Sequence, residues 1–506
     1  MKNERYGIID IGSNSIRLVV YEKTEAGAYR VVDGNKRSAR LSNKINDQGE
    51  LTDAGLQELI ETIRIFNIQM NHHHITKKIA IATAAIRNAA NTAAIVEAVE
   101  QATGLKIQVF SGKEEAEHGF IGMINSLPIE NGFLIDIGGG STEITLFKNR
   151  EIVDSHSFPI GCVSLNKKYE SKSGLSPQQL EKLQHEIIEQ LNQFSWIKSN
   201  AHLPLVCLGG TARAFAKIHQ AKINYPYQQT HHYMIHALEA EKLFIEMSQL
   251  ELDERKKMQG LSKDRVDVII PGLAILTTAF TYMQSTHYII CGAGLRDGIF
   301  HKLLSSENAI LPNPIQFSVS NLLALHNVVP REHINQVNLL ALQLFDELKE
   351  RLHLNVGHRY LLNIASQLYR IGGTIEYYEY NAHTFHIIAH SRIHGLTHQE
   401  ILSIAAIAAY KSKNKLKAQL KPYSLLISDS ELHYIHQLGL ILLIAITLDR
   451  TETQALQKYE LDLTENTLVI KVLQAKHQLL IEQSHLDSLQ SDCKKTLGIK
   501  LKLTFP

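Results

Sequence analysis

The sequence predicts an α/β fold built as two related lobes, followed by a mainly helical domain and a small α/β C-terminal piece. The first observation behind this is a repeat. Residues 7–21 and 133–147 carry one pattern at an offset of 126 residues, so that Asp10 falls on Asp136, Gly12 on Gly138 and Ser15 on Ser141. Each copy is an apolar strand, an Asp, a turn of small residues and a second strand, which reads as a β-hairpin with a bare tip. Backbone N–H groups at such a tip stay open to an approaching anion. The second observation is the alternation of strand-like and helix-like periods through about residue 305. The third is the polar stretch 306–315 with Pro312 and Pro314, which reads as a linker to a helical half. The expected division is 1–127, 128–305, 316–450 and 451–506.

Element by element, strands are expected at 5–10, 16–22 and 28–33, then a helix at 53–70 with Leu56, Leu59, Ile60, Ile63 and Phe66 on one face. A strand at 78–82, a helix at 91–103, a strand at 106–110 and a helix from 112 complete the first lobe. The second repeats the theme with strands at 132–137, 142–148, 151–158 and 204–208 and helices at 177–195 and 236–249. It closes with a helix through 266–283 interrupted by Pro271-Gly272, a strand at 286–291 and a helix from 295. The C-terminal piece is expected to hold strands at 467–473, 477–481 and 499–504 with a helix between.

Composition narrows the function classes. A chain of 506 residues holds about three or four domains, and 44% hydrophobic with 20% charged residues is ordinary for a soluble globular protein. The net charge of +1 gives no reason to expect a nucleic-acid partner. The N-terminus runs straight into a strand, so no leader is expected. The apolar run 438–448 is shorter than the ~20 residues that span a bilayer, so no membrane partner is expected. Four scattered cysteines, Cys162, Cys207, Cys291 and Cys493, read as buried thiols of a cytoplasmic protein. His72-His73-His74 and His231-His232 read as solvated connecting stretches rather than metal sites.

Four further stretches point toward anion chemistry. Ser111-Gly-Lys-Glu114-Glu115 opens a helix after a strand, and Ser111 with Glu114 has capping-box spacing. Glu115 is then left free in the first turn, where N–H dipoles favour its ionised form and suit a general base. Two ordinary first-turn glutamates are the alternative. Arg87, at the end of Thr83-Ala-Ala-Ile-Arg, could clamp a phosphoryl group bidentately or sit solvated on a helix. Gly209-Gly210-Thr211 precedes a helix whose N-terminus is a ready anion site, though a plain strand–helix turn reads the same way. Gly292-Ala-Gly-Leu-Arg-Asp-Gly298 is a weaker signal of the same kind.

Together these residues resemble the exopolyphosphatase/guanosine pentaphosphatase family, a phosphatase branch of the actin-like (ribonuclease H-like) ATPase superfamily. The resemblance runs through Asp-Ile-Gly-Ser-Asn-Ser-Ile-Arg (10–17), Ala-Thr-Ala-Ala-Ile-Arg (82–87), Ser-Gly-Lys-Glu-Glu-Ala (111–116) and Asp-Ile-Gly-Gly-Gly-Ser-Thr-Glu (136–143). It continues through Ile-Gly-Cys-Val-Ser-Leu (160–165), Pro-Gly-Leu-Ala-Ile-Leu (271–276) and Gly-Leu-Arg-Asp-Gly (294–298). It implies Glu115 as catalytic base assisted by Arg87, and Mg²⁺ held near Asp136 and Glu143, with Asp10 as the matching acid of the first repeat. It implies phosphate contacts from Gly12, Ser13, Asn14, Ser15 and Arg17, from Gly138, Gly139, Gly140, Ser141 and Thr142, and from Gly209, Gly210 and Thr211.

Past the linker the chain resembles a helical HD-like domain, but Tyr369 and Arg370 stand where that domain's His-Asp metal pair belongs. A second metal site is therefore not expected. The implied substrate is inorganic polyphosphate or guanosine pentaphosphate, hydrolysed at the terminal phosphoanhydride, by a homodimer. A non-catalytic sensor or a kinase of the same superfamily are the other classes; intact Glu115, Asp136 and Glu143 argue against the first. Lys411, Lys413, Lys415, Lys417 and Lys421 are a candidate track for a long polyanion, or a solvated connector.

Overall fold

Both repeats form hairpins at the centre of a sheet, in a computed structural model that describes residues 3–169, 174–305 and 308–505. The first sheet comprises β1 (Glu4–Ile11), β2 (Ile16–Lys23), β3 (Tyr29–Arg37), β4 (Lys77–Ala82) and β5 (Ile107–Val109). Its order is β3-β2-β1-β4-β5, antiparallel across the first three strands and parallel from β1 through β5. The central strand β1 reads Gly-Ile-Ile-Asp-Ile without alternation because both its faces are covered, and Ile8, Ile9 and Ile11 are fully buried.

The second sheet comprises β6 (Gly132–Ile137), β7 (Thr142–Lys148), β8 (Glu151–Phe158), β9 (Leu205–Leu208), β10 (Tyr233–His236) and β11 (His287–Ile290). Its order, β8-β7-β6-β9-β11 with β10 added antiparallel at the edge, is that of the first sheet plus one strand. The match extends to register. Asp10 pairs with Arg17 and Asp136 with Glu143, and the bulge between Val20 and Tyr21 recurs between Leu146 and Phe147.

The lobes exchange helices. The helix Gly112–Ile124 follows β5 of the first sheet yet buries Phe120, Met123 and Ile124 against Leu134, Phe147, Val206 and Ile289 of the second. The helix Leu295–Leu304 follows β11 and returns, burying Ile299 and Phe300 against Tyr6, Ile8, Val19 and Tyr21. Tyr21 and Phe300 stack with ring centroids 3.9 Å apart. Each fully buried side chain of this size contributes ~1.5–3 kcal/mol, so each exchanged helix is held mainly by the other lobe's core.

Within the two lobes, three expectations change. The helix predicted at 177–195 ends at Leu191 and resumes as Ser195–Lys198. The edge strand β10 lies where none was expected. The helix Ile269–Tyr282 runs unbroken through Pro271-Gly272, because Pro271 is its third residue and first-turn N–H groups have no intrahelical partner.

Chain contacts divide the molecule into Met1–Pro314 and Ile315–Pro506. Of the expected linker, 306–307 lie outside the described residues; its end, from Pro314, is already helix. The second unit is helical to Leu448, then forms β12 (Leu456–Thr464), β13 (Thr467–Ala475) and β14 (Lys500–Thr504) in that order. The strand predicted at 477–481 is not formed; the helix Leu480–Thr496 starts there. The missing strand is β12, where Tyr459, Leu461 and Leu463 alternate with polar residues and a tight turn at Glu465-Asn466 returns the chain to β13. The helix Asp429–Leu448 extends the apolar run to a length able to cross a membrane, and two-thirds of its apolar window (67%) is buried within the protein. The position expected to lack an HD metal pair holds a buried network: the Tyr369 hydroxyl meets His333 Nε2, and His333 Nδ1 lies 2.7 Å from Asp449 Oδ2. Arg370 lies over the Tyr380 ring at 4.3 Å.

Candidate active site

The hairpin tips meet across one cleft. Each closes with the same turn bond, Gly12 N–H to the Ser15 carbonyl at 3.2 Å and Gly138 N–H to the Ser141 carbonyl at 2.9 Å. They approach so closely that a methyl on Gly139 would lie 2.8 Å from Ser13 Cβ. Between them is a cavity of about 160 Å³. The first repeat lines it with Asp10, Gly12, Ser13, Asn14, Ser15 and Arg17, and the second with Asp136, Gly138, Gly139, Ser141 and Glu143. Of the other residues that the sequence anticipated, Gly209, Gly210 and Glu115 also line it.

One wall is acidic. Ser111 and Glu114 form the capping box, with Ser111 N–H donating to Glu114 Oε2 at 2.8 Å and Glu114 N–H to Ser111 Oγ at 3.2 Å. Glu115 is thereby left to the cleft, where its carboxylate accepts from Arg87 at 2.7 Å. Burial first, and then the Glu143 carboxylate, hold Glu115 well above the ordinary glutamate range against the pull of Arg87. The first-turn dipoles expected to favour its ionised form are thus opposed by burial and by Glu143. Glu143 Oε1 accepts from Ser141 Oγ at 2.7 Å and Ser157 Oγ at 2.6 Å. Asp136 is pushed up to about 7 by burial, with Glu143 and Asp10 adding repulsion and Arg213 opposing it. Asp10 is also raised, by burial, although Arg296 and Arg17 draw it down.

The other wall is a cluster of arginines, of which the sequence reading named only Arg17. Arg213, Arg265 and Arg296 also line the cavity. Burial and repulsion from Arg17, Arg296 and Arg265 bring Arg213 down to about 10. Arg296 Nε lies 3.7 Å from Asp10 Oδ2. Four guanidinium groups that repel one another in a buried cleft form a site for a multiply charged oxyanion, which would relieve that repulsion. A signal was available for one of them. Arg296 sits in the first turn of the helix Leu295–Leu304, where the dipole disfavours a cation, and such a local conflict marks function. Arg265 lies in the charged surface run Lys263-Asp-Arg265 and carries no local signal.

Other anticipated residues fall elsewhere. Arg87 is not among the residues that line the cavity; it donates to the Phe110 carbonyl at 3.1 Å, to Glu115, and to Ser157 Oγ at 3.5 Å, and so orients the Glu115 carboxylate. Gly140, Thr142 and Thr211 are also off the cavity wall. Thr142 Oγ1 donates to the Ile160 carbonyl at 2.7 Å, and Thr211 is buried at the foot of its helix. His231 is buried rather than solvated: its Nδ1 accepts from Gly292 N–H at 3.0 Å and its Nε2 is 3.1 Å from the Ser126 carbonyl, bracing the turn that precedes Arg296. All four cysteines are buried and free.

Oxygen donors suit a hard dication, and the mutual repulsion of Asp10, Asp136 and Glu143 would be relieved by one. Among the described residues no group of three or more His, Cys, Asp or Glu side chains has metal-holding geometry. A Mg²⁺ ion needs only one or two carboxylates beside water and substrate oxygens, so the acid wall fits that ion and not an all-protein cage.

A cleft between two duplicated α/β lobes, with a hairpin tip from each, defines an actin-like fold. The chain belongs to the Ppx/GppA phosphatase family, whose model matches residues 19–307, while the model of domain III of that family matches 316–491. Among solved structures, the chain is similar to an exopolyphosphatase from Cytophaga hutchinsonii at 20% identity and a TM-score of 0.56, covering 60% of this chain and 99% of that one. It is similar to the Aquifex aeolicus Ppx/GppA family member at 25% identity and a TM-score of 0.53, covering 61% and 99%.

Proposed function

We propose that this phosphatase is an exopolyphosphatase, releasing orthophosphate from the end of inorganic polyphosphate. What carries the reading is the polarity of the cleft: four arginines on one wall, and on the other a buried Glu115 held above its usual range beside further carboxylates. Arg17, Arg213, Arg265 and Arg296 would bind the non-bridging oxygens, and the N–H groups of the two tips would take up charge developing on the terminal unit. Glu115, fixed by Arg87, removes a proton from water as its oxygen bonds to the terminal phosphorus. The bridging P–O bond breaks, its electron pair stays on the shortened chain, and Glu115 is left protonated until it returns the proton to solvent. Bound near Asp136 and Glu143, Mg²⁺ would supply charge neutralisation at the phosphoryl oxygens.

The alternative substrate is guanosine pentaphosphate, cut at its 5′ terminal phosphate. No aromatic side chain among the described residues lines the cavity to stack a guanine, which favours the polymer. Lys411, Lys413, Lys415 and Lys417 are exposed in the second unit and form no ion pair among the described residues, a candidate surface for the rest of a long chain. The deciding experiment is phosphate release from long polyphosphate, tripolyphosphate and guanosine pentaphosphate with Mg²⁺ and no acceptor. Turnover of guanosine pentaphosphate alone would replace the reading, and release only in the presence of an acceptor would make the protein a kinase.

A further inference from the structure

The cleft is bridged by ion pairs that take no part in the chemistry above. The turn Lys263–Arg265 and the residues after it belong to the second lobe. Asp264 pairs with Lys36 at the end of β3, and Asp267 accepts from Arg40 at 2.9 and 3.4 Å, both partners belonging to the first lobe. Between the two aspartates stands Arg265, which lines the cavity and forms no ion pair among the described residues. Its guanidinium lies against Gly210, where an added Cβ would come within 1.6 Å of its terminal nitrogen. One turn thus grips the opposite lobe on both sides and delivers a cation into the cleft from the middle.

We propose that residues 264–267 are a clasp: the Lys36–Asp264 and Arg40–Asp267 pairs hold the lobes closed and present Arg265 to the bound polyanion, so that closure and presentation are one event. Asp264, Asp267, Lys36 and Arg40 are positioning residues, and Arg265 is the group they position. All four charged groups are part-exposed, between 24% and 37%, so each pair is individually weak and the clasp can release to admit substrate. Lys167 Nζ, donating to the Ser42 carbonyl at 2.6 Å, adds a third bridge between the lobes, an ammonium on a neutral acceptor. Opening breaks both ion pairs and parts Arg265 from the first lobe's tip, so an open cleft also binds phosphate less well. This rests on the reading that a phosphoanhydride occupies the cleft.

The test uses the full-length chain with spin labels at Ala94→Cys and Lys242→Cys, exposed positions on different lobes; the native cysteines are buried. Pulsed electron resonance reads the interlobe distance, and steady-state kinetics on tripolyphosphate reads KM and kcat. Asp264→Asn with Asp267→Asn should broaden the distribution to longer distances and raise KM roughly tenfold or more with kcat changed less than about threefold. Lys36→Asp alone should open the cleft similarly, and adding Asp264→Lys should restore both readouts. Gly210→Ala, which displaces the guanidinium without touching the clasp, should raise KM and leave the distance unchanged. Unaltered distances in the neutralised variant, or no restoration by the exchanged pair, would overturn the clasp. If tripolyphosphate proves not to be a substrate, the distances still decide the clasp while the functional reading fails separately.

Discussion

The two hairpins are the same object with different chemistry. They share strand order, register, turn bond and even the position of the bulge. They differ where it matters most: the residue facing the conserved-pattern Asp is Arg17 in the first and Glu143 in the second. Duplication supplies a symmetric frame, and one register position makes the cleft polar. On the first side Asp10 is shared between guanidinium groups; on the second, Asp136 faces another acid and rises to about 7. One register position thus gives the two matched tips opposite neighbours, a guanidinium beside Asp10 and a carboxylate beside Asp136.

The largest effect should come from the acid wall. Glu115→Gln is expected to lower kcat roughly 10²–10⁴-fold with polyphosphate still bound, whereas Glu114→Gln, whose amide still caps the helix, should cost little. Equal losses at the two neighbours, measured by phosphate release and a binding titration, would remove Glu115 as base. Next, the two matched acids should diverge. Asp136→Asn should raise the Mg²⁺ concentration for half-activity by about tenfold or more, and Asp10→Asn much less; overlapping metal titrations would erase the asymmetry. On the basic side, Arg17→Gln should act mainly on KM, raising it about tenfold while kcat holds.

The subtlest effect is on pH. A general base must be ionised, so kcat falls as pH drops through the raised value of Glu115, well above 4.5. Glu143→Gln removes an upward push and should move that acid limb to lower pH. Arg87→Gln removes a downward pull and should move it to higher pH. Shifts of the same sign in both variants would contradict the electrostatics of the acid wall.

Much of this was legible in the chain because it is local. The repeat at Asp10 and Asp136 specified two hairpins, and Ser111 with Glu114 specified a cap that releases Glu115. What escaped depends on distant segments. Arg265 reaches the cleft only because Gly210, far away in sequence, leaves room for its guanidinium. The bond between Arg87 and Glu115 joins segments 28 residues apart, and local spacing gave no hint of it. His231 sits in a polar run, yet the Ser126 carbonyl and the Gly292 amide bury it. Pro271 misled because its rule concerns helix interiors and it stands in a first turn. The alternation of Tyr459, Leu461 and Leu463 was available and outweighed by the apolar run that opens the helix Leu480–Thr496.

The exchanged helices impose an order on biosynthesis. The face of the first sheet formed by Tyr6, Ile8, Val19 and Tyr21 is covered by Ile299 and Phe300. A ribosome that has completed every strand of the first lobe has therefore made a sheet with one greasy face bare, and must translate well over a hundred further residues before its cover emerges. Through that interval the nascent lobe carries exposed apolar surface of the kind that aggregates or recruits chaperones. The arrangement that lets each lobe lend a helix to the other also makes the newborn first lobe dependent on a segment not yet synthesised.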